Sequence, residues 1–279
     1  MTKQPTEHLQ NQAVFDRYAA HYLERALLPP EFELLKLYRD RWLQTDMLDL
    51  GVGAGRTALT FSALARNYVG LDYAPRMIEL CKARIAESSS VQFVVGDATD
   101  LSPFAGRRFD LVLFSFNGID YVGPEQRIGV LAEVRKLLKP DGYFFFSSHN
   151  LNKYPFKLNL PRKAGVSAIR WAGRCAKRLL WYVRQKRANR HIGPAEARTR
   201  GWAVLTDGEH HFDCQSVYVW PPYQAQQLID AGFELLSVFD AAGKAIDWRV
   251  PSNDNWLSYL CRLESLTCAL ANRGLGCST

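Results

Sequence analysis

Glycines at positions 51, 53 and 55 follow Asp49 in "MLDLGVGAGRTALTF", residues 47–61. Glycine on alternate positions lets backbone N–H groups approach a ligand with no side chain in the way, and a helix start beyond it adds partial positive charge. That arrangement serves a phosphate-like or nucleoside-like group. Two further acids stand downstream, Asp72 at the end of "YVGLD" and Asp97 at the end of "VQFVVGD". A carboxylate at the first position can accept both hydroxyls of a ribose; one at the second can accept from an adenine amino group. Arg56 stands where the dinucleotide fingerprint G-x-G-x-x-G wants its last glycine, and no G-x-x-x-x-G-K-[ST] loop is present. The expected ligand is therefore nucleoside-like, with no demand for a phosphate clamp.

These residues must sit at the ends of elements, and the apolar pattern supplies the elements. Apolar strands "DMLDL", "YVGLD", "VQFVVGD", "FDLVLFSF" and "GYFFFSSHN" alternate with amphipathic helices, one through Leu64, one near Pro75 to Ala86 and one from about Pro124 to Leu138. Continuous apolar strands between helices predict a parallel sheet covered on both faces, with ligands at its carboxyl edge. In the helix before the fifth strand, Ile128, Leu131, Val134 and Leu138 recur at helical spacing. Before the first strand, "AVFDRYAAHYLERALL" puts Phe15, Tyr18, Ala19, Tyr22 and Ala26 on one helical face that Pro29-Pro30 ends, and a second helix follows at about 31 to 43. The α/β rhythm resumes with "FDCQSVYVW", a helix after Pro221-Pro222, and strands "ELLSVFD" and "NWLSYLCRL".

The 279 residues carry a net charge of +7, very unevenly placed. Residues 151–200 hold 14 Lys and Arg against the single acid Glu196, which leaves +13 there and −6 over the rest. At 47% hydrophobic and 23% charged, the composition is that of an ordinary globular protein. No stretch approaches the roughly 18 apolar residues of a membrane span, and the polar start lacks a signal-peptide layout, so the cytoplasm is the expected location. Six scattered cysteines form no C-x-x-C pair, which argues against a zinc site or a disulfide framework, and no metal constellation is expected.

Taken in order, "LDLGVGAGR", "YVGLDYAPRMIELCKAR", "VQFVVGDATDL", "FDLVLFSFNGIDYV" and "LLKPDGYFFFSSHN" resemble the motifs of class I S-adenosylmethionine-dependent methyltransferases, in particular the small-molecule group with methyltransferase-11 and -25 type domains. The resemblance covers roughly residues 10–150 and, more loosely, 207–263. It implies an α/β, Rossmann-like sheet of seven strands, mostly parallel with an antiparallel last strand, with helices on both faces and a basic cap insertion. With the charge and proline pattern of the chain, the expected division is an N-terminal helical cap (1–45), a cofactor-binding core (46–150), a basic helical lid (151–206), a C-terminal part of the core (207–267) and a tail (268–279). S-adenosylmethionine is the implied cofactor, leaving as S-adenosylhomocysteine. The resemblance places Gly51, Gly53 and Gly55 near its methionine part, Asp72 on the ribose, Asp97 with Ala98 on the adenine and Phe116 with Asn117 where the sulfonium is approached, with Asp49, Arg56, Tyr73 and Met77 as further expected cofactor contacts.

Tyr18, Tyr22, Asn117, Tyr121 and His149 are then the expected wall of the methyl-transfer pocket. His149 ends the fifth strand on the cofactor rim, and His210-His211 open the returning strand; a histidine within reach of a substrate hydroxyl or amine can take its proton. The expected reaction is direct displacement onto an O or N atom of a small molecule, a metabolite, sugar or lipid-linked intermediate, with the +13 segment inviting an anionic acceptor. Two other readings stand beside it: a non-catalytic cofactor-binding sensor or scaffold, and a membrane- or RNA-associated enzyme using the insertion. A basic amphipathic helix at 166–187 suits peripheral membrane contact. Nucleic acid is the weaker partner, because the fourth strand lacks an N-P-P-Y motif and no RNA-binding module is attached.

Overall fold

The computed structural model describes residues 7–23, 26–160, 165, 167–206, 208 and 212–264. Its core is a sheet in which β1 (Asp46–Leu50), β2 (Asn67–Asp72), β3 (Val91–Val95), β4 (Phe109–Phe114) and β5 (Leu138–Asn150) run parallel in the order β3-β2-β1-β4-β5. The apolar strands are explained by burial on both faces. Met47, Leu111, Leu113, Tyr143 and Phe145 pack beneath α2 (Pro29–Tyr38), α3 (Ala58–Leu64) and α4 (Pro75–Arg84). Their neighbours Leu48, Leu50, Val112, Phe114, Phe144 and Phe146 face α5 (Pro124–Leu137) and α8 (Pro221–Asp230). This is the period-two alternation of a strand, with each parity given its own core.

Strand β9 (Trp256–Leu263) pairs antiparallel with β5, and β8 (Phe233–Phe239) pairs antiparallel with β9. Those seven strands match the expected mostly parallel sheet with an antiparallel member. Two more are present among the described residues. β6 (Trp202–Thr206) and β7 (Gln215–Val219) form an antiparallel hairpin, and β7 joins β5 only at His149 and Asn150. "FDCQSVYVW" is therefore half of an added hairpin and not the next core strand. Its partner lies in the stretch read as lid, and hairpin pairing cannot be told from core pairing by hydrophobic pattern alone.

Other boundaries shift for local reasons. Pro29 and Pro30 begin α2, where proline suits the first turn, and do not terminate the helix before them. That earlier helix, α1 (Glu7–Tyr18), tightens into a 3-10 turn at Ala19–Tyr22, which breaks the 3.6-residue phase between Tyr18 and Tyr22. In α5 the buried face runs through Arg127, Val130, Leu131, Val134 and Leu137, while Ile128 is 55% exposed. A charged side chain takes the expected apolar position because a buried acid waits for it. The insertion contributes α6 (Ala168–Ala188) and α7 (Pro194–Arg200) before the hairpin. Among the described residues no helix is long and apolar enough to cross a membrane.

Candidate active site

The cleft opens at the carboxyl edge of β1, β2, β3 and β4. After β1 the backbone turns through Gly51 (φ +62°), Gly53 (φ +58°) and Gly55 (φ +84°), a conformation that L side chains rarely adopt. The three do different work. A Cβ on Gly53 would meet nothing nearer than the Gly51 carbonyl at 4.0 Å, so its side of the turn is open. A Cβ on Gly55 would lie 2.7 Å from Cys81 Sγ of α4, so that glycine lets helix and turn pack and does not line the cleft. The α3 helix that follows has only seven residues, and the wall of the cleft is the turn itself.

Asp72 holds the turn from the neighbouring strand. Its Oδ2 accepts from the Gly53 N–H at 2.9 Å and its Oδ1 from the Ala74 N–H at 2.9 Å. Burial pushes its carboxyl up to about 6, against the pull of those two N–H groups. Asp49 is pushed up to about 6 by burial as well; it accepts from the Thr57 and Tyr68 hydroxyls beneath the turn. Asp97 is half-buried at the end of β3, its Oδ1 accepting from the Thr99 N–H at 2.8 Å, with Ala98 buried beside it. Asp49, Gly51, Gly53, Arg56, Asp72, Tyr73, Met77, Asp97, Ala98 and Phe116 all line the cleft, which leaves Gly55 alone of the expected cofactor residues outside it.

Arg56 explains its departure from a dinucleotide fingerprint. It forms a two-pronged pair with Glu31 of α2, Nη2 to Oε1 at 2.7 Å and Nη1 to Oε2, while its guanidinium lies 5.6 Å from the Phe116 ring centre. Glu31 is 1% exposed and also accepts from the Ser115 hydroxyl and the Leu28 N–H. The sequence offered no periodicity that marks Glu31, since its partner is 25 residues away.

The expected wall residues divide. Tyr22 and Tyr121 line the cleft, joined by Phe15, whose ring meets Tyr121 edge-on at 4.7 Å and lies 6.0 Å from both Tyr22 and Tyr73. Phe15 was legible only as part of an apolar face. Tyr18 does not line the cleft and stacks on His21 at 5.6 Å. Helix α1 is tied down around it: the Asp16 carboxylate accepts from the Arg76 N–H at 3.0 Å, and Gln12 donates to the Tyr73 carbonyl.

Asn117 and His149 lie behind the cleft wall. Phe116 (φ +54°) and Asn117 (φ +62°) turn the chain sharply after β4, and the Asn117 N–H donates to Ser147 Oγ at 2.8 Å. His149 is 4% exposed; its Nδ1 is 2.8 Å from Asp120 Oδ2, its Nε2 3.3 Å from Asn117 Nδ2, and its ring stacks on Tyr218 at 4.7 Å. Asp120 Oδ2 also accepts from the His149 backbone N–H at 2.6 Å, and Asn117 Oδ1 is buried without a hydrogen bond among the described residues. Asp120 is held in turn by Arg127 at 2.6 Å, and Arg127 Nη2 also donates to Ser148 Oγ at 3.0 Å and Gln224 Oε1 at 2.5 Å. His210 and His211 lie outside the described residues. No cluster of three or more His, Cys, Asp or Glu suited to a metal ion occurs among the described residues.

A second hollow adjoins the first at Tyr121 and Val122, bounded by Asn11 of α1, Gln126 of α5 and Val204, Gln215 and Val217 of the added hairpin. The Asn11 amide donates to the Gln215 carbonyl at 3.0 Å and accepts its N–H at 3.3 Å, closing the far side.

Comparison with known proteins agrees with this geometry. A methyltransferase domain model matches residues 47–142. Over 96 residues the chain is 36% identical to a demethylmenaquinone methyltransferase of Clavibacter sepedonicus, covering 34% of this chain and 38% of that protein. Over 113 residues it is 32% identical to a ubiquinone biosynthesis O-methyltransferase of Cereibacter sphaeroides, covering 40% and 44%. The match thus spans less than half the length of either relative. Among solved structures, the CcbJ methyltransferase from Streptomyces caelestis superposes with a TM-score of 0.58 at 16% identity, over 90% of this chain and 98% of that one. The 1,6-didemethyltoxoflavin-N1-methyltransferase of Burkholderia thailandensis, solved with that substrate and S-adenosylhomocysteine bound, gives 0.56 at 17% identity, over 92% and 88%. Those two share the fold. With the strand order, the glycine turn and the two strand-end acids, the match identifies residues 47–142 as a methyltransferase domain of the class I S-adenosylmethionine-dependent kind.

Proposed function

We propose that this chain binds S-adenosylmethionine in the cleft and transfers its methyl group by direct displacement to an O or N atom of a small molecule, releasing S-adenosylhomocysteine. The observation that carries the reading is the bond from the Gly53 N–H to Asp72 Oδ2, which locks the open glycine turn to the acid that would face a ribose. Asp97 and Ala98 supply a polar and an apolar contact for an adenine on the next strand end. The cofactor, when bound, brings a methyl group already activated on a sulfonium. What remains for the protein is to hold a lone pair in line with it and to exclude water.

The hollow beyond Tyr121 is where the acceptor would sit, with Phe15, Tyr22 and Tyr121 closing the aromatic wall between the two chambers. Behind that wall, His149, held at its backbone by Asp120, acts as a positioning residue for Asn117, whose amide meets its Nε2. A metabolite, sugar or lipid-linked intermediate fits this reading, and the demethylmenaquinone and ubiquinone names of the two relatives favour an aromatic hydroxyl or ring among acceptors to try first. Calorimetric titration of the intact chain with S-adenosylmethionine and S-adenosylhomocysteine tests the cofactor assignment. Saturable binding of both supports it, and a folded sample that binds neither overturns it; methyl release over an acceptor panel then tests transfer.

A further inference from the structure

Helix α6 is turned inside out for a helix of a globular protein. Its half-buried residues are Trp171, Cys175, Trp181, Tyr182, Gln185 and Ala188, and Trp181 anchors it by packing on Phe212 at 5.2 Å and over Gly208. The apolar stripe lies on another side. Ile169 is 85% exposed, Leu180 58%, Leu179 49% and Val183 40%, with Ala172 and Ala176 also exposed between them. At 100° per residue, 169, 172, 176, 180 and 183 form one continuous strip, and Arg170, Lys177 and Arg184 flank it along one side. None of the 21 residues of α6 is buried and none is acidic, while seven are Lys or Arg.

An exposed apolar strip of this length needs an occupant. Charge chooses it. Residues 151–200 sum to +13 and the remainder of the chain to −6, so an anionic surface attracts this face and repels the rest, orienting the molecule before any contact. A soluble partner helix would need acids at matching positions to answer seven cations; an anionic bilayer answers them wherever they lie. We infer that α6 lies in the headgroup layer of anionic membranes, with Ile169, Leu180 and Val183 inserted and its arginines and lysines at the phosphates. The inference goes beyond methyl transfer and does not depend on it, because vesicle binding is read without cofactor or acceptor.

The test is flotation of the full chain with vesicles of phosphatidylcholine alone or mixed with phosphatidylglycerol, over a salt series. The expected result is binding about tenfold or more tighter to the mixed vesicles, part of which survives about 0.5 M salt because the apolar strip is inserted. Ile169→Glu with Leu180→Glu removes about tenfold or more of that binding, with circular dichroism and unfolding midpoint unchanged, since both side chains are exposed. Arg170→Glu with Arg174→Glu weakens binding about as much and flattens its salt dependence. No binding to either vesicle by the parent chain overturns the inference, as does equal binding to both vesicles, or binding that Ile169→Glu with Leu180→Glu leaves intact. Two further results overturn it: self-association that this double variant abolishes, which makes a second copy the occupant, and salt-sensitive RNA binding in place of vesicle binding.

Discussion

Glu31 and Arg56 form a two-pronged ion pair that is nearly closed to solvent, joining the N-terminal cap to the glycine turn across 25 residues of sequence. The pair also gathers the Ser115 hydroxyl at the end of β4, so three walls of the cleft meet at one carboxylate. Removing one partner leaves a buried charge unanswered, at a cost of about 3–5 kcal/mol. Arg56→Met and Glu31→Gln should each lower stability to urea by that order and weaken S-adenosylhomocysteine binding. The double replacement Glu31→Leu with Arg56→Met should recover part of that stability but not affinity, because it restores charge balance while leaving the Ser115 hydroxyl and the Leu28 N–H without their acceptor.

Asp72 gives cofactor binding a pH dependence whose sign can be fixed. Its carboxyl is raised by burial from 3.8 to about 6, so between those values the folded chain holds a proton that the unfolded chain has lost. Asp49, raised likewise to about 6, adds to the effect, and the stability these two contribute is present below pH 4 and lost as pH rises through 6. Ligand affinity runs the other way, since the ionised carboxylate is the better acceptor for ribose hydroxyls. Binding of S-adenosylhomocysteine by calorimetry should weaken about tenfold from pH 7.5 to pH 5, and Asp72→Asn should bind more weakly at both with that slope gone.

Two alanines should separate the roles of the glycines. Gly55→Ala drives a Cβ to 2.7 Å from Cys81 Sγ at φ +84° and should cost about 1–3 kcal/mol of stability by denaturant unfolding. Gly53→Ala meets open space but carries the left-handed penalty of about 1 kcal/mol and points its methyl into the cleft. Its expected signature is a loss of cofactor affinity larger than its loss of stability.

His149 should act on the acceptor side. It does not line the cofactor cleft, so His149→Gln should leave S-adenosylhomocysteine affinity within about threefold while lowering kcat by about tenfold or more with an accepted substrate. Asp120→Asn should reproduce the kcat loss, because Asp120 holds the His149 backbone N–H and the Ser148 hydroxyl beside the ring. Equal losses in affinity and kcat would move His149 into the cofactor site.

The strand ends and the glycine turn were legible because the residues concerned are local: each acid closes its own apolar run, and backbone dihedrals force glycine where the turn is left-handed. What sequence reasoning missed is pairwise and distant. Arg127 reads as a surface charge until Asp120, Ser148 and Gln224 are brought around it, and Glu31 reads as an ordinary first-turn acid until Arg56 arrives. Tyr18 and Tyr22 part company because the 3-10 turn at Ala19–Tyr22 changes helical phase between them, a departure that propensity does not encode. The β6–β7 hairpin was missed because β6, only five residues long, closes a basic, proline-punctuated stretch, while β7, read as a strand, carries no mark of its partner.

The joint between that hairpin and the core is two residues wide. β4 pairs with β5 as far as Phe146, and β7 joins at His149 and Asn150, where β9 and Asn255 hold the opposite edge. Hairpin and core are thus spliced onto one continuous strand with no linker between them. One strand supports both layers: Ser147 of β5 fixes the backbone of Asn117 beside the cleft, and two residues further on His149 pairs with Tyr218 of the hairpin.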